Sequence, residues 1–176
     1  MPISNTTLIL ACLALLFLAA LIVRGPGKAR HRRYVKKARR VMERLSRKDL
    51  SPARQMAYLR KISPYVFEEA VLTGFENHGH KIKRNKRYSG DGGVDGQVLV
   101  DGNWSPIQCK RYKGHIDAGD VEKFARLCES RGVKGFFVHT GRTGKGAREN
   151  AQAGSGLVRF VSGDALLALL TDSGRP

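Results

Sequence analysis

Two strand-like runs separated by an Asp-Gly turn signal constrain the fold of this chain more than any other stretch. Residues 94–100 and 104–111 each suit a strand, and Asp101-Gly102-Asn103 lies between them. An Asp-Gly pair in such a place is typical of a tight hairpin, because the favoured turn needs positive φ at its central positions. The sequence therefore predicts an antiparallel pair here, around which other elements must pack.

Helices and strands alternate around this hairpin from residue 63 to the end. Ser63-Pro64 reads as a helix cap followed by proline at the first helical position. The buried stripe of this first helix is Phe67, Ala70, Val71, Gly74 and Phe75. Later segments are a strand at 80–85, a helix at 117–130, a strand at 135–139, a helix at 147–153, a strand at 157–161 and a helix at 163–170 capped by Asp164. The order α-β-β-β-α-β-α-β-α predicts an α/β domain with a mixed β-sheet flanked by helices.

Oxygen-bearing side chains and a lysine recur where the hairpin begins and ends. Asp95 opens the first strand after a glycine-rich stretch, and Gln108 and Lys110 share one face of the second strand. A hairpin that turns near Gly102 places Asp95 roughly opposite Lys110. Glu68, on the preceding helix, is positioned to add a second carboxylate.

This set of side chains fits metal-assisted hydrolysis of a phosphodiester. Mg²⁺ prefers hard oxygen ligands and keeps several waters, so one or two carboxylates suffice. The metal polarises a phosphoryl oxygen and acidifies a bound water. Lys110 is then the group that orients or deprotonates that water and offsets charge on the phosphate. Each residue alone has an ordinary structural explanation, and the combination on one hairpin is the informative feature.

Four stretches carry a resemblance to a known family. They are FEEAVLTGFENHGHKI, RYSGDGGVDGQVLV, IQCKRYKGHI and GVKGFFVHTG. Over residues 63–170 the chain resembles the Mrr-like catalytic domain of type IV restriction endonucleases, within the PD-(D/E)XK nuclease superfamily. The resemblance implies the restriction-endonuclease-like α-β-β-β-α-β core and a Mg²⁺-dependent endodeoxyribonuclease, with Mn²⁺ as a substitute metal and a role in restriction of foreign DNA.

The same resemblance implies roles for individual residues. The metal-binding aspartate of the family falls on Asp95, its Gln-x-Lys pair on Gln108 and Lys110, and its helix glutamate on Glu68. The catalytic set is then Asp95, Gln108, Lys110 and Glu68, of which Asp95, Gln108 and Glu68 hold the metal. The wider superfamily more often has an acid where Gln108 stands, so weaker metal binding is expected. Mrr-like enzymes also carry a separate DNA-recognition domain before the nuclease, and here that place holds other segments.

Residues 8–23 form an unbroken apolar run near the amino terminus. With its uncharged flank from Ile3 the stretch has 21 residues, which at about 1.5 Å per residue spans roughly 30 Å of hydrocarbon. No Lys or Arg precedes the run, so an anchor is favoured over a cleaved signal peptide. The positive-inside rule then predicts a single-pass protein of the inner membrane, with residues 1–24 as the anchor and the nuclease domain in the cytoplasm.

Residues 25–62 are strongly basic. From Arg24 to Ile62 there are fifteen Lys or Arg against two acids, which accounts for most of the formal charge of +17. Val35, Ala38, Val41, Met42 and Leu45 form one weak apolar stripe at helical spacing. The segment is predicted to be a helical stalk between the anchor and a nuclease domain at 63–176. As a surface it suits anionic lipid or the phosphates of DNA, and the sequence favours neither.

Three functional interpretations follow, in decreasing order of support. The first is a membrane-tethered DNA endonuclease, and the second is a weak or inactive nuclease fold that binds DNA at the membrane. The third is a lipid-surface protein, which leaves the Asp/Gln/Lys set unexplained. RNA as substrate and a homodimeric arrangement both stay open. The residues expected to contact nucleic acid are Lys81, Lys83, Arg84, Lys86, Arg87 and Arg111.

Overall fold

The computed structural model describes residues 26–47, 49–85, 93–153 and 156–172. Within them, the helices are α1 (Pro26–Leu45), α2 (Pro52–Leu59), α3 (Pro64–Asn77), α4 (Ala118–Arg131), α5 (Lys145–Ala153) and α6 (Gly163–Thr171). The strands are β1 (Ile82–Arg84), β2 (Gly96–Val100), β3 (Asn103–Lys110), β4 (Gly135–His139) and β5 (Val158–Val161). The predicted element order from residue 63 is confirmed. The chain divides into two units at residues 33 and 34, and the described part of the first unit is the beginning of α1.

The five strands form one mixed sheet in the order β1-β2-β3-β4-β5. Strands β1, β2 and β3 are antiparallel neighbours, whereas β3, β4 and β5 run parallel. The β2–β3 hairpin turns on two residues, with φ of 50° at Asp101 and 78° at Gly102. Both values are positive, as the predicted Asp-Gly turn requires.

Helices cover both faces of the sheet. On one face, α3 and α6 pack against β2 and β3, and the cluster there includes Val71, Leu72, Val98, Ile107 and Leu170. On the other face α4 and α5 cover β4 and β5, around a second cluster that includes Val121, Phe124, Phe137, Ala147 and Val158. The alternation of side chains along β3 therefore sends Ile107 and Cys109 toward α3. Gln108 and Lys110 point toward the α4 face.

The apolar stripe of α1 belongs to the first of these clusters. Ala38, Val41, Met42 and Leu45 are buried together with side chains of α3 and α6. Leu59 of α2 is also fully buried there. Part of the segment predicted to be a helical stalk is thus packed into the domain, and the core of the domain extends across the predicted boundary at Ser63. The stripe is a weak sequence pattern because basic residues surround it, yet its four apolar side chains are buried in the core.

Two further expectations concern the ends of the chain. The cap of α6 is Ser162 rather than Asp164, which lies inside the first turn, where a carboxylate favours the helix dipole. The predicted anchor, residues 1–24, lies outside the described residues. In the part of the chain that is described, no helix is both long and apolar enough to cross a membrane.

Candidate active site

Asp95 lies immediately before β2 and is fixed to β3 by two hydrogen bonds. Its N–H donates to the carbonyl of Ile107 at 2.8 Å. Its carboxylate Oδ2 accepts from the N–H of Cys109 at 2.7 Å. A charged acceptor shortens and strengthens such a bond, so the carboxylate is held against the end of β3.

The hairpin register differs by about two residues from the expected one. Val100 pairs with Asn103 and Gly96 with Ile107, so Asp95 lies level with Gln108 rather than opposite Lys110. The cause is the turn, which uses Asp101 and Gly102 alone. The pairing expected from the sequence assumes the longer turn Asp101-Gly102-Asn103, and a shorter turn moves the pairing along the strand.

Glu68, in α3, lies close enough to Asp95 for the two carboxylates to repel each other. Burial, followed by the charges of Asp95 and Glu69, raises the pKa of Glu68 from 4.5 to about 8, while Arg111 opposes the shift. A carboxyl group in this environment holds its proton at neutral pH when no cation is nearby. The structure therefore brings two predicted ligands, Asp95 and Glu68, into one electrostatically strained pair.

Gln108 comes one residue before Cys109, whose N–H holds Asp95, and its amide is buried. The side chain is 8% exposed, and its Oε1 has no hydrogen-bond partner among the described residues. Its Nε2 lies under Gly93, where a Cβ atom would come within 2.9 Å. A buried carbonyl oxygen without a partner costs free energy, so it marks a place where a ligand would be stabilising.

Lys110 is paired with a residue that the sequence did not single out. Its Nζ lies 3.1 Å from Oδ2 of Asp120, in the first turn of α4. The hydroxyl of Tyr112 donates to the same oxygen. Burial raises the pKa of Asp120, but the hydrogen bonds from Tyr112 and Lys110 outweigh it, so the net pKa is lowered.

Asp120 could not be found from sequence spacing alone. It comes three residues after Asp117, the N-cap of α4, and an acid in a first helical turn is ordinarily explained by the helix dipole. Its role depends on how α4 packs over the end of β3, which is tertiary information. Sequence reasoning also missed Glu69, because an acid on an apolar helix face interrupts the apolar pattern and does not by itself indicate a functional residue.

The donor set fits a hard divalent cation. Two carboxylates, Asp95 and Glu68, and the amide oxygen of Gln108 are oxygen ligands of the kind that Mg²⁺ prefers. No group of three or more His, Cys, Asp or Glu side chains that could hold a metal occurs among the described residues. The fit therefore depends on the unpartnered Gln108 amide as the third donor.

The basic residues expected to contact nucleic acid separate into two groups. Lys81 and Lys83 are exposed, and Lys83 Nζ lies 3.9 Å from the centroid of the Trp104 ring. The guanidinium of Arg84 is instead bonded to Glu69, Thr73 and Glu76. Arg111 Nη1 donates to the carbonyls of Arg60 and Ile62. Lys86 and Arg87 lie outside the described residues.

Arg84 and Arg111 thus have structural partners that the sequence did not predict. Both come from stretches where basic residues cluster, and clustering alone suggested a surface for phosphates. Each guanidinium instead binds several acceptors of the fold, for which its several donors in a fixed fork are well suited.

The structure is an α/β protein with a five-stranded mixed sheet and helices on both faces, with Asp95 and Gln108 on the β2–β3 hairpin and Glu68 on α3. Residues 59–170 match the model of the Mrr catalytic-domain family, which is described as restriction endonuclease. The match covers more than half of the chain, so the chain belongs to this restriction endonuclease family. The family suggests an endonuclease that hydrolyses phosphodiester bonds, and such enzymes typically use a divalent metal.

Among solved structures the chain is similar to the MspJI restriction endonuclease in complex with a 27-mer oligonucleotide. The identity is 24%, the TM-score is 0.44, and the match covers 58% of this chain. This chain spans 26% of the length of that structure's chain. No curated protein matches the chain.

Proposed function

We propose that the chain is a Mg²⁺-dependent endonuclease that hydrolyses phosphodiester bonds of DNA and that is held at a membrane by its amino-terminal segment. The observation that carries the proposal is a set of three oxygen donors, Asp95 and Gln108 on the hairpin and Glu68 on α3. Asp95 and Glu68 repel each other, and the buried Gln108 Oε1 lacks a partner among the described residues. A divalent cation, with Mn²⁺ able to replace Mg²⁺, would reduce the repulsion between the two carboxylates and would give the Gln108 oxygen a partner.

The residues of the chain have separate tasks in this reaction. When bound, the metal supplies a polarised phosphoryl oxygen and a water acidic enough to attack phosphorus. Asp95, oriented by the Cys109 N–H, provides the fixed negative charge of the site. Glu68 would hold the cation as a carboxylate, its proton passing to solvent, because a nearby positive charge favours the ionised form. Lys110, whose ammonium is paired with Asp120, would stabilise the negative charge that builds up on the phosphate.

DNA as the substrate is supported by the family and by the charge of the chain. The formal net charge is +17, and a polyanion is the partner that such a charge favours. Lys81 and Lys83 are exposed at the edge of the sheet, and Lys36, Lys37 and Arg40 are exposed on α1. Contacts of this kind position the backbone of DNA and carry no base specificity. Restriction of foreign DNA is the biological role proposed, on the ground of the family match.

Membrane attachment is proposed from the sequence of residues 1–24. The uncharged stretch from Ile3 is long enough to span hydrocarbon, and basic residues follow it. The domain would then face the cytoplasm from the inner membrane. Full-length protein is expected to stay with membranes through alkaline and high-salt washes, and deletion of residues 1–24 to release it. Recovery of the full chain in the salt wash would instead indicate attachment by charge alone.

A second candidate is a DNA-binding protein with a weak or inactive nuclease fold. Gln108 in place of an acid lowers the negative charge available to a metal, and this observation favours the second candidate. The two proposals differ in whether cleavage occurs at all, so one assay separates them.

The test is cleavage of supercoiled plasmid by the full chain in detergent, with Mg²⁺, with Mn²⁺ and with a chelator. We expect metal-dependent nicking that Asp95→Asn abolishes, since the change removes the fixed charge and keeps the shape. Asp101→Asn is the matched control, because Asp101 is an exposed turn residue where asparagine tolerates positive φ. Equal cleavage by wild type and Asp95→Asn would refute the site, and DNA binding without cleavage under either metal would favour the second candidate.

A further inference from the structure

Side chains of the three antiparallel strands form a small surface on the side of the sheet that carries α4. The set, here called the Trp104 surface, comprises Lys83 of β1, Gln97 and Leu99 of β2, and Trp104 of β3. Lys83 pairs with Gln97 across the strands, and Leu99 pairs with Trp104. The chain neighbours Ile82 and Val98 belong to the core under α3, so alternation directs the Trp104 surface to the opposite side.

The helices that the structure describes do not cover the Trp104 surface. On this side of the sheet, α4 and α5 pack mainly on β4 and β5. Neither Leu99 nor Trp104 belongs to the two apolar clusters that the described residues form. Lys83 is exposed, and the indole of Trp104 is partly exposed. A tryptophan outside the core keeps apolar ring surface available, so it marks a place where a flat apolar group would be stabilised.

Charge selects the class of ligand that suits this ring. Lys83 Nζ lies 3.9 Å from the centroid of the Trp104 ring. Lys81, whose carbonyl accepts the N–H of Leu99 at 2.8 Å, is exposed as well. Within β1, β2 and β3, which are described in full, no acid points to this side of the sheet. An aromatic ring beside lysines fits a nucleotide, whose base stacks on the ring and whose phosphate binds an ammonium.

A nucleotide must be unpaired to reach the ring of Trp104. In a duplex the bases stack on one another and show only their edges in the grooves, so a base face becomes available only outside the stack. An ammonium over an exposed ring is held weakly, whereas a stacked base is held more strongly. Lys83 is a point charge on a flexible stem, so its ammonium can leave the ring for a phosphate when a base stacks.

The Trp104 surface lies on the strand that also carries Gln108. Both side chains point to the same side of β3, and they are four residues apart, which corresponds to about 13 Å along the strand. A few nucleotides of one strand span such a distance. A nucleotide on Trp104 would therefore belong to the same DNA segment as a phosphate at the proposed metal site.

We propose that the Trp104 surface binds an unpaired nucleotide of DNA, with the base stacked on Trp104 and the phosphate bound by Lys83. The inference deepens the proposed function and rests on it, because it takes DNA as the substrate. Cleavage would then be directed to places where the duplex is open or single-stranded. Trp104 selects the unpaired base, and Lys83 supplies charge without base specificity.

The test uses the fact that Trp104 is the single tryptophan of the chain. Tryptophan emission is followed while oligothymidylate, or a duplex of equal length, is added to the full chain in detergent with a chelator, so that no strand is cut. We expect oligothymidylate to quench the emission, because a base stacks on the indole. The duplex is expected to bind with little change in emission, since its contacts are to phosphates.

Variants are compared by the anisotropy of labelled oligothymidylate. Trp104→Leu should weaken binding about tenfold, and Trp104→Phe, which keeps a flat ring, should restore most of the affinity. Tyr58→Leu is the matched control, because it removes an exposed ring from α2, which packs on the α3 side of the sheet. It should leave binding unchanged. Lys83→Met should lower the slope of affinity against salt by the amount that corresponds to about one phosphate contact and should preserve the quenching.

Four results would overturn the inference. They are binding of the single strand without quenching, equal quenching by single strand and duplex, unchanged binding by folded Trp104→Leu, and tighter binding of oligouridylate than of oligothymidylate, which would indicate RNA. Emission that changes with protein concentration in the absence of nucleic acid would also overturn it, in favour of a second copy of the chain on this surface. If Trp104→Leu does not fold, the wild-type quenching and the affinity of Trp104→Phe decide.

The result also separates this inference from the proposed function. A chain that shows the expected quenching but cuts no DNA with Mg²⁺ or Mn²⁺ would refute the proposed endonuclease and leave the binding of an unpaired nucleotide standing. A chain that cuts DNA while oligothymidylate leaves its emission unchanged would refute the role of Trp104 alone.

Discussion

The Nε atom of Arg84 lies 3.1 Å from Oε2 of Glu69, and the guanidinium also reaches Glu76 at 2.8 Å. Glu69 is almost fully buried, so its charge is kept inside the fold by a partner from β1. The bond joins the edge strand of the sheet to α3, the helix that carries Glu68. An arginine in a basic run, expected at DNA, is thus a structural residue.

Substitution of Arg84 by methionine should destabilise the protein. The change leaves the buried Glu69 carboxylate without its guanidinium, and removal of one partner of a buried pair costs about 3 kcal/mol. The measurement is the free energy of unfolding by chemical denaturation of the full chain in detergent. DNA affinity per folded molecule should change little, because the Arg84 donors are already engaged.

Lys81→Met is the matched control, since Lys81 is exposed and lies three residues away. It should leave stability unchanged and should reduce DNA affinity. The slope of DNA affinity against salt concentration should fall by the amount that corresponds to about one phosphate contact. The opposite pattern, with Arg84 affecting DNA and Lys81 affecting stability, would contradict the assignment of Arg84 to the interior.

Local pattern was enough to predict most of the fold. The Asp101-Gly102 turn, the strand at Gly135–His139 and the buried stripe of α3 all appear where the sequence placed them. Turn chemistry and the periodicity of apolar residues act within a few residues, so they are legible without tertiary structure.

Pairings between residues far apart in the sequence could not be predicted from such local patterns. Lys110 meets Asp120 because α4 folds over the end of β3, and Arg111 reaches the carbonyl of Ile62 because the α2–α3 connection passes there. Neither contact follows from the spacing of the two residues in the sequence. The α1 stripe is a weak sequence pattern, and the burial of Leu45 depends on what α3 and α6 present to it.

The stability of the metal-free protein should fall as pH rises between 4.5 and about 8, in part because of Glu68. Burial and the neighbouring acids raise the pKa of Glu68 in the folded state, so the folded state binds more protons than the unfolded state in that window. Linkage then makes the free energy of unfolding decrease with pH across it. The stabilising contribution of Glu68 is fully present below pH 4.5 and is lost above about pH 8.

Glu68→Gln should flatten this profile, measured by thermal unfolding in the presence of a chelator. The variant should be more stable than wild type at the alkaline end and similar to it at the acidic end. Glu129→Gln, which removes an exposed acid of α4, should leave the slope as it is. Parallel profiles for wild type and Glu68→Gln would show that Glu68 does not carry a raised pKa.

Gly93→Ala should weaken metal binding, whereas its loss of stability should be similar to that of a control substitution with the same backbone strain. Gly93 has φ of 87°, and a Cβ atom there would lie 2.9 Å from Nε2 of Gln108. The flexible amide would be displaced, and its Oε1 would move from the position proposed for the metal ligand. Gly102→Ala is the control, because it has a similar positive φ of 78° with nothing within 4 Å of the added atom. Each variant should cost about 1–2 kcal/mol of backbone strain.

The readout for this pair is Mn²⁺ affinity beside the denaturation midpoint of each variant. We expect similar losses of stability, together with a loss of Mn²⁺ affinity in Gly93→Ala alone. If the two variants bind Mn²⁺ equally, the Gln108 amide is not a ligand, and the donor set is reduced to Asp95 and Glu68.

A chain that begins at Ser63 should fail to fold as a stable domain, although the family match begins near that point. It would lose Ala38, Val41, Met42, Leu45 and Leu59 from the core. Burial of a single leucine or methionine contributes roughly 1.5–3 kcal/mol, so the total approaches the net stability of an ordinary domain. It would also lose Arg60, whose guanidinium donates twice to the Thr140 carbonyl, at 3.1 and 2.9 Å.

Chains that begin at residues 26 and 63 are compared by denaturation and by the binding of a dye specific for exposed apolar surface. The longer chain should unfold cooperatively, and the shorter one should bind dye and lack a sharp transition. Leu45→Ala in the longer chain should cost about 2–5 kcal/mol, which tests the same contact without truncation. Equal midpoints for the two chains would mean that α1 packs on the domain without stabilising it, and the boundary at Ser63 would then be the functional one.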